Sequence, residues 1–291
     1  MAEKKIETSM KTVHKIMLAR MAYYPLSAAR RLLGRTDIVE GSFDGLNYRL
    51  DLSQGIDFAI YLLGRFEPST AAAISRVVKP GHIALDIGAN IGAHTLRIAR
   101  QVGETGRVLA FEPTDFAFGK LVTNLGLNPS LKNRVTAIQC FLGASKTGDP
   151  PPEIYSSWPL TKASDLHKVH LGAPKTTSRA TTQRLDDVIA AHNIARVDVV
   201  KMDVDGFELD VVEGAGVMMK KYRPLFIMEL SPLVHEEHGS SLDALLDRFL
   251  SLDYQFFTLD GDRQLPSDRH RLAQSIVPGA SLNVIARANH T

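Results

Sequence analysis

Short apolar runs alternate with amphipathic stretches along most of this chain, and the alternation predicts its secondary structure. Apolar runs typical of strands lie near residues 83–86, 107–111, 134–140, 197–203, 224–230, 254–259 and 281–286. Apolar residues at helical spacing lie near 92–102, 115–127, 183–193, 207–215 and 241–252. Strands separated by helices predict an α/β fold, with a mostly parallel sheet and helices on both faces. The last two strands are close in sequence, so we expect an antiparallel hairpin at the sheet edge.

A basic helical arm is predicted at the N-terminus. Residues 10–35 place apolar side chains at helical spacing with basic residues between them, and Pro25 should interrupt the helix. Residues 1–35 carry eight lysines and arginines against two glutamates. Such a helix docks on the body of the protein or on a second subunit, or it lies on an anionic membrane. We favour the docked arrangement, and we keep membrane contact and homo-oligomer formation as alternatives.

The pattern divides the rest of the chain into two parts. Residues 36–80 form a small subdomain with a hairpin around Asp44-Gly45 and two helices. Residues 81–291 form the main domain. Within it, residues 143–181 contain five prolines and the only tryptophan, Trp158, and are longer than an ordinary connection. We expect this insertion to cover a substrate.

Composition narrows the class of protein. The chain has 291 residues, of which 44% are hydrophobic and 23% charged, as in ordinary globular proteins. Cys140 is the only cysteine, which favours a reducing compartment, and no apolar run is long enough to span a membrane. Residues 36–291 carry 26 basic against 30 acidic residues, which argues against nucleic-acid binding. We expect a cytoplasmic protein, held at the inner face of the membrane if the arm binds lipid.

The segment I-A-L-D-I-G-A-N-I-G, residues 83–92, predicts the first part of a binding site. An apolar run ends in Asp86, and the glycines Gly88 and Gly92 then lead into an amphipathic stretch. This is the pattern of a strand, a tight turn and a helix start, where a ligand can approach the backbone closely. An acid at the strand end suits a cation rather than a phosphate. The ligand should therefore carry an amine or a sulfonium, as S-adenosylmethionine does.

Glu112 closes the second strand and predicts a contact with a ribose. An acid at this place in doubly wound folds accepts hydrogen bonds from ribose hydroxyls. A nicotinamide-dependent dehydrogenase shares this acid. Its glycine fingerprint is GxGxxG, whereas Gly88 and Gly92 are spaced GxxxG with Asn90 between them. The spacing therefore favours a ligand other than NAD.

Acidic residues also gather where two later strands end. Asp203, Asp205 and Glu208 follow the strand V-V-K-M, and Glu229 lies near the end of L-F-I-M-E-L. Ligands of open α/β sheets bind at this rim. Carboxylates there can act as a general base, as oxygen ligands for Mg²⁺, or as acceptors for hydroxyl groups. We name Asp203 and Glu229 as candidates for both catalysis and metal binding.

Two further charged residues need an explanation. Lys201 lies inside a buried strand and must be paired, with Asp86 or Glu229 as the expected partner. His235 belongs to His-Glu-Glu-His, residues 235–238, which lacks the spacing of the HExxH metal motif. We expect a solvated loop there, and we name His235 as a third candidate catalytic base.

Together these segments resemble the FkbM family of S-adenosylmethionine-dependent methyltransferases. The matching segments are D-I-G-A-N-I-G (86–92), F-E-P (111–113), K-M-D-V-D-G-F-E (201–208), R-P-L-F-I-M-E-L (223–230) and N-V-I-A (283–286). The combination of the first and third is much more specific than the first alone. Asp205 stands where the family usually has glutamate, which shortens the reach of that carboxylate. The resemblance covers residues 56–286.

The resemblance implies the class I methyltransferase fold, a Rossmann-like seven-stranded sheet in the order 3-2-1-4-5-7-6. It also implies transfer of a methyl group to a hydroxyl of a sugar, glycolipid, polysaccharide or natural product. Seven residues are then expected to bind S-adenosylmethionine: Asp86, Gly88 and Asn90 its methionine part, Glu112 its ribose, Cys140 and Leu142 its adenine, and Gly92 as the second glycine of the turn.

Two rival classes of protein remain open on the sequence. A nicotinamide-dependent oxidoreductase would use the same glycine turn and Glu112. A non-catalytic, membrane-associated binding protein would depend on the basic arm. The methyltransferase interpretation predicts a small-molecule or glycan acceptor, and Mg²⁺ is kept as a second candidate cofactor.

Overall fold

The computed structural model of this protein describes residues 12–163, 165–167, 171–277 and 280–289. The helices in this part of the chain are α1 (Thr12–Leu32), α2 (Gly55–Leu63), α3 (Pro68–Val77), α4 (Ala93–Val102), α5 (Asp115–Gly126), α6 (Pro129–Lys132), α7 (Leu185–Ala191), α8 (Glu208–Glu213), α9 (Gly216–Tyr222), α10 (Pro232–Glu237), α11 (Leu242–Leu250) and α12 (Arg269–Gln274). The strands are β1 (Ile38–Phe43), β2 (Leu46–Asp51), β3 (Ile83–Ile87), β4 (Arg107–Phe111), β5 (Val135–Ile138), β6 (Cys140–Leu142), β7 (Glu153–Ser156), β8 (Ala173–Thr176), β9 (Thr181–Gln183), β10 (Val199–Met202), β11 (Leu225–Leu230), β12 (Tyr254–Thr258) and β13 (Leu282–Ala288).

Seven strands form the central sheet in the order β12-β13-β11-β10-β3-β4-β5. Strands β11, β10, β3, β4 and β5 are parallel to one another, whereas β13 pairs antiparallel with both β11 and β12. Numbered by sequence within this sheet, the order is 3-2-1-4-5-7-6. The structure thus confirms the expected class I methyltransferase fold and its antiparallel edge.

Side chains alternate between the two faces of the sheet, and each face has its own core. Leu85 and Ile87 of β3 pack with α7, α8, α9 and α11 on one face. Ala84 of the same strand belongs to the other core, with residues of α1 to α5 and of the β1–β2 hairpin. The N-terminal segments therefore cover one face of the sheet.

Helix α1 continues through Pro25, so the expected interruption there is wrong. Ile16 and Tyr23 are buried on one side of the proline, and Ser27 is buried on the other. The Tyr23 and Ser27 hydroxyls both donate to the carboxylate of Asp37, each over 2.9 Å. A proline inside a helix destabilises it by about 3 kcal/mol. These contacts on both sides of Pro25 offset that loss of stability.

The hairpin around Asp44-Gly45 is confirmed as β1 and β2, but other local predictions are corrected. The strand expected at 134–140 divides at Gln139, because β6 leaves the main sheet and pairs in parallel with β9. The loop expected around His235 is helix α10. Among the described helices, none has both the length and the apolarity needed to cross a membrane.

The insertion is folded against the rest of the protein. Its strands β7 and β8 form an antiparallel pair. The backbone N–H of Gly55 donates to the Trp158 carbonyl, and that of Leu160 donates to the Ser53 carbonyl, both over 2.7 Å. These bonds hold Trp158 beside the start of α2.

Candidate active site

A pocket lies at the carboxyl ends of β3, β4 and β10, where open α/β sheets bind their ligands. Of the predicted site residues, Gly88, Asn90, Glu112, Cys140, Leu142 and Asp203 line this pocket. They come from four separate segments of the sequence. The fold thus brings together the segments that were assigned to the methionine part, the ribose and the adenine of one ligand.

Four other predicted site residues are placed outside the pocket lining. Asp86 is completely buried and accepts a hydrogen bond of 2.5 Å from the Thr95 hydroxyl. Gly92 begins α4, and a side chain there would meet Leu121 of α5. Glu229 and His235 also lie outside the lining. A direct contact of these residues with a ligand stays a prediction, and the structure shows packing or pairing roles instead.

Glu112 is buried at the end of β4 and holds the two turns beside it. One carboxylate oxygen accepts from the backbone N–H of Asn90 at 3.0 Å. The other accepts from the N–H and the hydroxyl of Thr114 at 2.9 and 2.6 Å. Burial raises the pKa of Glu112 despite these bonds. A carboxylate has about four acceptor positions, so roughly one remains for a ligand hydroxyl.

Asn90 presents an unused acceptor to the pocket. Its backbone has φ of 47°, a left-handed conformation that asparagine tolerates better than most residues. The side-chain amide donates to the Ser156 hydroxyl at 3.2 Å. Its oxygen is buried and has no hydrogen-bond partner among the described residues. Because buried polar atoms are normally paired, this oxygen fits a ligand that brings a donor such as an amine.

Lys201 is a buried residue of the pocket lining, and it lies among several charged groups. Its ammonium lies 3.6 Å from the Asp86 carboxylate and 3.7 Å from that of Asp203, and it donates to the Gly88 carbonyl at 2.9 Å. Burial lowers the pKa of Lys201, but the surrounding acids outweigh burial and raise it. The predicted pairing with Asp86 is confirmed. Glu229 is not the partner in the described contacts.

Glu229 is bound on the other side of β11, by the hydroxyl of Ser281. Burial and the charge of Asp203 raise the pKa of Glu229 to about 8. Among the described residues, no group of three or more His, Cys, Asp or Glu side chains is placed to hold a metal ion. The metal site at Asp203 and Glu229 stays a prediction without a third protein ligand.

His235 is buried in α10, away from solvent and from the pocket lining. Its Nε2 lies 3.4 Å from the Glu208 carboxylate, and its Nδ1 lies 3.1 Å from the Ser240 hydroxyl. Burial lowers the pKa of His235 to about 4 and raises that of Glu208 to about 7. This geometry gives His235 no open path to an acceptor in the pocket.

The sequence did not reveal three residues on the outer wall of the pocket. Phe66 and His94 line it, with ring centroids 5.8 Å apart, and Trp158 stacks on Phe66 at 6.4 Å. Trp158 was noted only as part of a covering loop. His94 follows the glycine turn directly, and that position was the available signal. No sequence signal pointed to Phe66, because only the folded structure brings it close to the glycine turn.

The sheet order and the pocket at the ends of its central strands define a class I methyltransferase. The sequence model of the methyltransferase FkbM domain family matches residues 86–256, which is more than half of the chain. The protein therefore belongs to this family. This confirms the family resemblance of the sequence.

Three relatives illustrate the similarity to known proteins. Methyltransferase sdnD of Sordaria araneosa is 29% identical over 62% of this chain and 81% of its own. The 2-O-methyltransferase NoeI of Sinorhizobium fredii is 27% identical over 62% of this chain and 76% of its own. The hexuronic acid methyltransferase AglP of Haloferax volcanii is 29% identical over 44% of this chain and 48% of its own.

Proposed function

We propose that this protein transfers the methyl group of S-adenosylmethionine to a hydroxyl group, and that the acceptor is a sugar or a sugar-containing molecule. The observation that carries the proposal is the position of Glu112. Its buried carboxylate lies between the glycine turn and the Cys140–Leu142 segment, with roughly one acceptor position left for a ribose hydroxyl.

The pocket residues fit this cofactor by charge and by hydrogen-bonding type. The unpaired oxygen of Asn90 suits the amine of the methionine part. Asp203 and Asp205 line the same pocket and offer carboxyl oxygens to a cationic ligand, and the lining also contains Lys201 and His94. S-adenosylmethionine supplies a methyl group that its positive sulfur has already activated. The protein then has to orient the acceptor, exclude water and remove one proton.

The wall formed by Phe66 and Trp158 supports a sugar as acceptor. Both aromatic side chains line the pocket, and their rings stack with an interplanar angle of 26°, so they add an apolar aromatic surface to its wall. Such a surface suits the apolar face of a sugar ring, whose hydroxyls then remain at its rim. The names of NoeI and AglP, a 2-O-methyltransferase and a hexuronic acid methyltransferase, agree with an acceptor of this kind.

Titration calorimetry tests the cofactor part of the proposal. S-adenosylmethionine and S-adenosylhomocysteine should bind, and NADH should not. Glu112→Gln keeps the shape and removes the charge, so affinity should fall about 10- to 100-fold, since hydrogen bonds to charged groups contribute about 1.5–3 kcal/mol. Glu104→Gln, at an exposed turn, is the control and should bind normally. Tight binding of NADH alone would select the oxidoreductase alternative.

Transfer of a radiolabelled methyl group to a panel of methyl glycosides tests the acceptor part. The panel should include glucuronides and neutral hexosides. Trp158→Ala should raise the KM for the glycoside and leave the Kd of S-adenosylhomocysteine unchanged, because Trp158 lies on the outer wall. An acceptor that reacts equally well with the Trp158→Ala variant would contradict the proposed acceptor surface.

A further inference from the structure

His94 is a buried polar group whose hydrogen-bonding capacity is unused. It is the second residue of α4, it lines the pocket, and its side chain is only 6% exposed. Neither Nδ1 nor Nε2 has a hydrogen-bond partner among the residues that the structure describes. Buried polar groups are normally paired, so an unpaired imidazole in a pocket wall indicates a ligand with a complementary group.

Glu67 lies next to the His94 side chain, although it comes from another part of the fold. Its Oε2 lies 3.6 Å from Nε2 of His94. Burial acts to raise the pKa of Glu67, but the interactions with His94, and with Lys201 and Thr70, outweigh burial and lower it to about 2. The carboxylate is therefore ionised at neutral pH. A carboxylate beside an imidazole fixes its orientation and stabilises the imidazolium when it forms.

The backbone at Glu67 is held in an unfavourable conformation that keeps this pair together. Glu67 has φ of 41° and ψ of 78°, a left-handed conformation, directly before Pro68 at the start of α3. A residue before proline normally adopts extended backbone, and a glutamate with positive φ is uncommon. Strain of this kind persists only where the surrounding structure imposes it, and it is frequent at functional sites.

The position of His94 links the two halves of the pocket. On one side its ring is 5.8 Å from that of Phe66, which belongs to the acceptor wall. On the other side, it follows the glycine turn that is assigned to the cofactor. Asp203, the other candidate base in the pocket, already lies 3.7 Å from the ammonium of Lys201. His94 thus offers the pocket an unpaired ring nitrogen between the acceptor wall and the glycine turn.

We propose that His94 is the base that removes the proton from the acceptor hydroxyl, with Glu67 as the residue that positions it; this rests on the proposed function. Nε2–H faces Glu67, and Nδ1 takes the proton. The acceptor oxygen forms a bond to the methyl carbon while the bond from that carbon to sulfur breaks, with its electron pair left on sulfur. The products are the methyl ether, the neutral thioether and an imidazolium paired with Glu67, which then loses its proton to solvent.

Cofactor binding and histidine titration test the pair without any acceptor. Calorimetry with S-adenosylhomocysteine should give a Kd for His94→Gln within about threefold of wild type, because the proposal assigns His94 to the acceptor. NMR of ¹⁵N-histidine-labelled protein should show that His94 takes up its proton at lower pH in Glu67→Gln than in wild type, because a negative charge beside the ring is lost. His270, which faces Asp243 at 3.2 Å on the surface, is the matched pair, and its titration should be unaffected by Glu67→Gln.

Turnover is measured with methyl glucuronides and methyl hexosides as the acceptors. His94→Gln should lower kcat by about 10²- to 10⁴-fold, the usual range for a lost base, and His270→Gln should leave it unchanged. In Glu67→Gln the acid limb of the rate–pH profile should move to lower pH. If no probe is methylated by wild type, the acceptor class fails, and the NMR titration decides the His94–Glu67 pair.

Three results would overturn the proposal. The first is a loss of S-adenosylhomocysteine affinity above tenfold in His94→Gln, which makes His94 a cofactor ligand. The second is a His94 titration that does not respond to Glu67→Gln. The third is a turnover of His94→Gln within threefold of wild type, with Asp203→Asn inactive, which assigns the base to Asp203.

Discussion

The carbonyl oxygen of Asp203 occupies the space that a side chain at Gly88 would need. A Cβ built on Gly88 would lie 1.9 Å from that oxygen, and the φ of Gly88 is +78°. The ends of β3 and β10 therefore approach so closely that only glycine fits between them. The sequence explained this glycine by the approach of a ligand, whereas the structure shows that the neighbouring strand already requires it.

Gly88→Ala should destabilise the protein by about 2–4 kcal/mol, because a strained left-handed backbone adds to a steric overlap. Urea unfolding measures the loss. Gly119→Ala is the matched control, since Gly119 lies inside α5 and no described atom outside its own helix backbone and neighbours is within 4 Å of its Cβ position. That substitution should stabilise the protein by about 0.5–1 kcal/mol. Equal stability of the two variants would show that the β3–β10 contact relaxes freely.

Lys201→Met should cost about 3–5 kcal/mol of unfolding free energy, because it leaves the buried Asp86 carboxylate without its ammonium partner. Combining it with Asp86→Asn should recover part of the loss, since the uncompensated charge is then gone. Thermal unfolding at neutral pH compares the variants. Lys220→Met, at an exposed position of α9, should leave the melting temperature unchanged. A double variant no more stable than Lys201→Met would show that packing, and not charge, holds this site.

Glu208 should make stability fall as pH rises. Burial raises the pKa of Glu208 in the folded protein to about 7, from an ordinary value of 4.5. Because the pKa is higher in the folded protein, the stabilising contribution of Glu208 is fully present below its unfolded-state pKa. It is lost as pH rises through about 7. Glu208→Gln removes this dependence, so its stability relative to wild type should increase between pH 5 and pH 8.

Urea unfolding of both proteins at those two pH values measures the change. His235 acts in the opposite sense, because burial lowers its pKa to about 4, and it lies 3.4 Å from the Glu208 carboxylate. The comparison is therefore repeated in a His235→Gln background, where the remaining difference isolates Glu208. A difference that stays constant with pH would show that the Glu208 carboxylate ionises normally in the folded protein.

Helix α1 is expected to bind anionic membranes through the face that it turns away from the body. Met17, Met21 and Leu32 are 54%, 67% and 89% exposed, although Ile16 and Tyr23 on the opposite face are buried. Lys15 and Arg31 are exposed on the same helix. An apolar strip flanked by basic residues suits a surface of phosphatidylglycerol, where both contributions act together.

Co-sedimentation with phosphatidylglycerol–phosphatidylcholine vesicles measures this binding, and pure phosphatidylcholine vesicles should not retain the protein. Replacing Met17, Met21 and Leu32 by serine should abolish binding, and added salt should weaken it in the wild type. Serine at the exposed Val122 and Val217, on α5 and α9, is the control and should not affect it. Undiminished vesicle binding by the α1 variant, or a dimer in sedimentation velocity that the α1 variant loses, would assign this face to another role.

The sequence by itself determined the alternation of strands and helices, and its resemblance to the FkbM family implied the order of the strands. Strands and helices alternate because each carries its own local pattern of apolar residues, and such patterns do not depend on distant parts of the chain. The glycine turn at 88–92 and the acid at Glu112 were found in the same way. Each lies where a strand ends, so its place in the sheet follows from its place in the sequence.

Only the tertiary structure decided which side chains meet. His94 and Glu67 are 27 positions apart, one in α4 and the other directly before α3, and no local pattern places an imidazole beside that carboxylate. Packing also kept α1 continuous through Pro25, and it turned His235 towards Glu208 and Glu229 towards Ser281. The physical reason is that the free energy of these pairs depends on burial and on distances across elements, which exist only once the sheet and its helices have assembled.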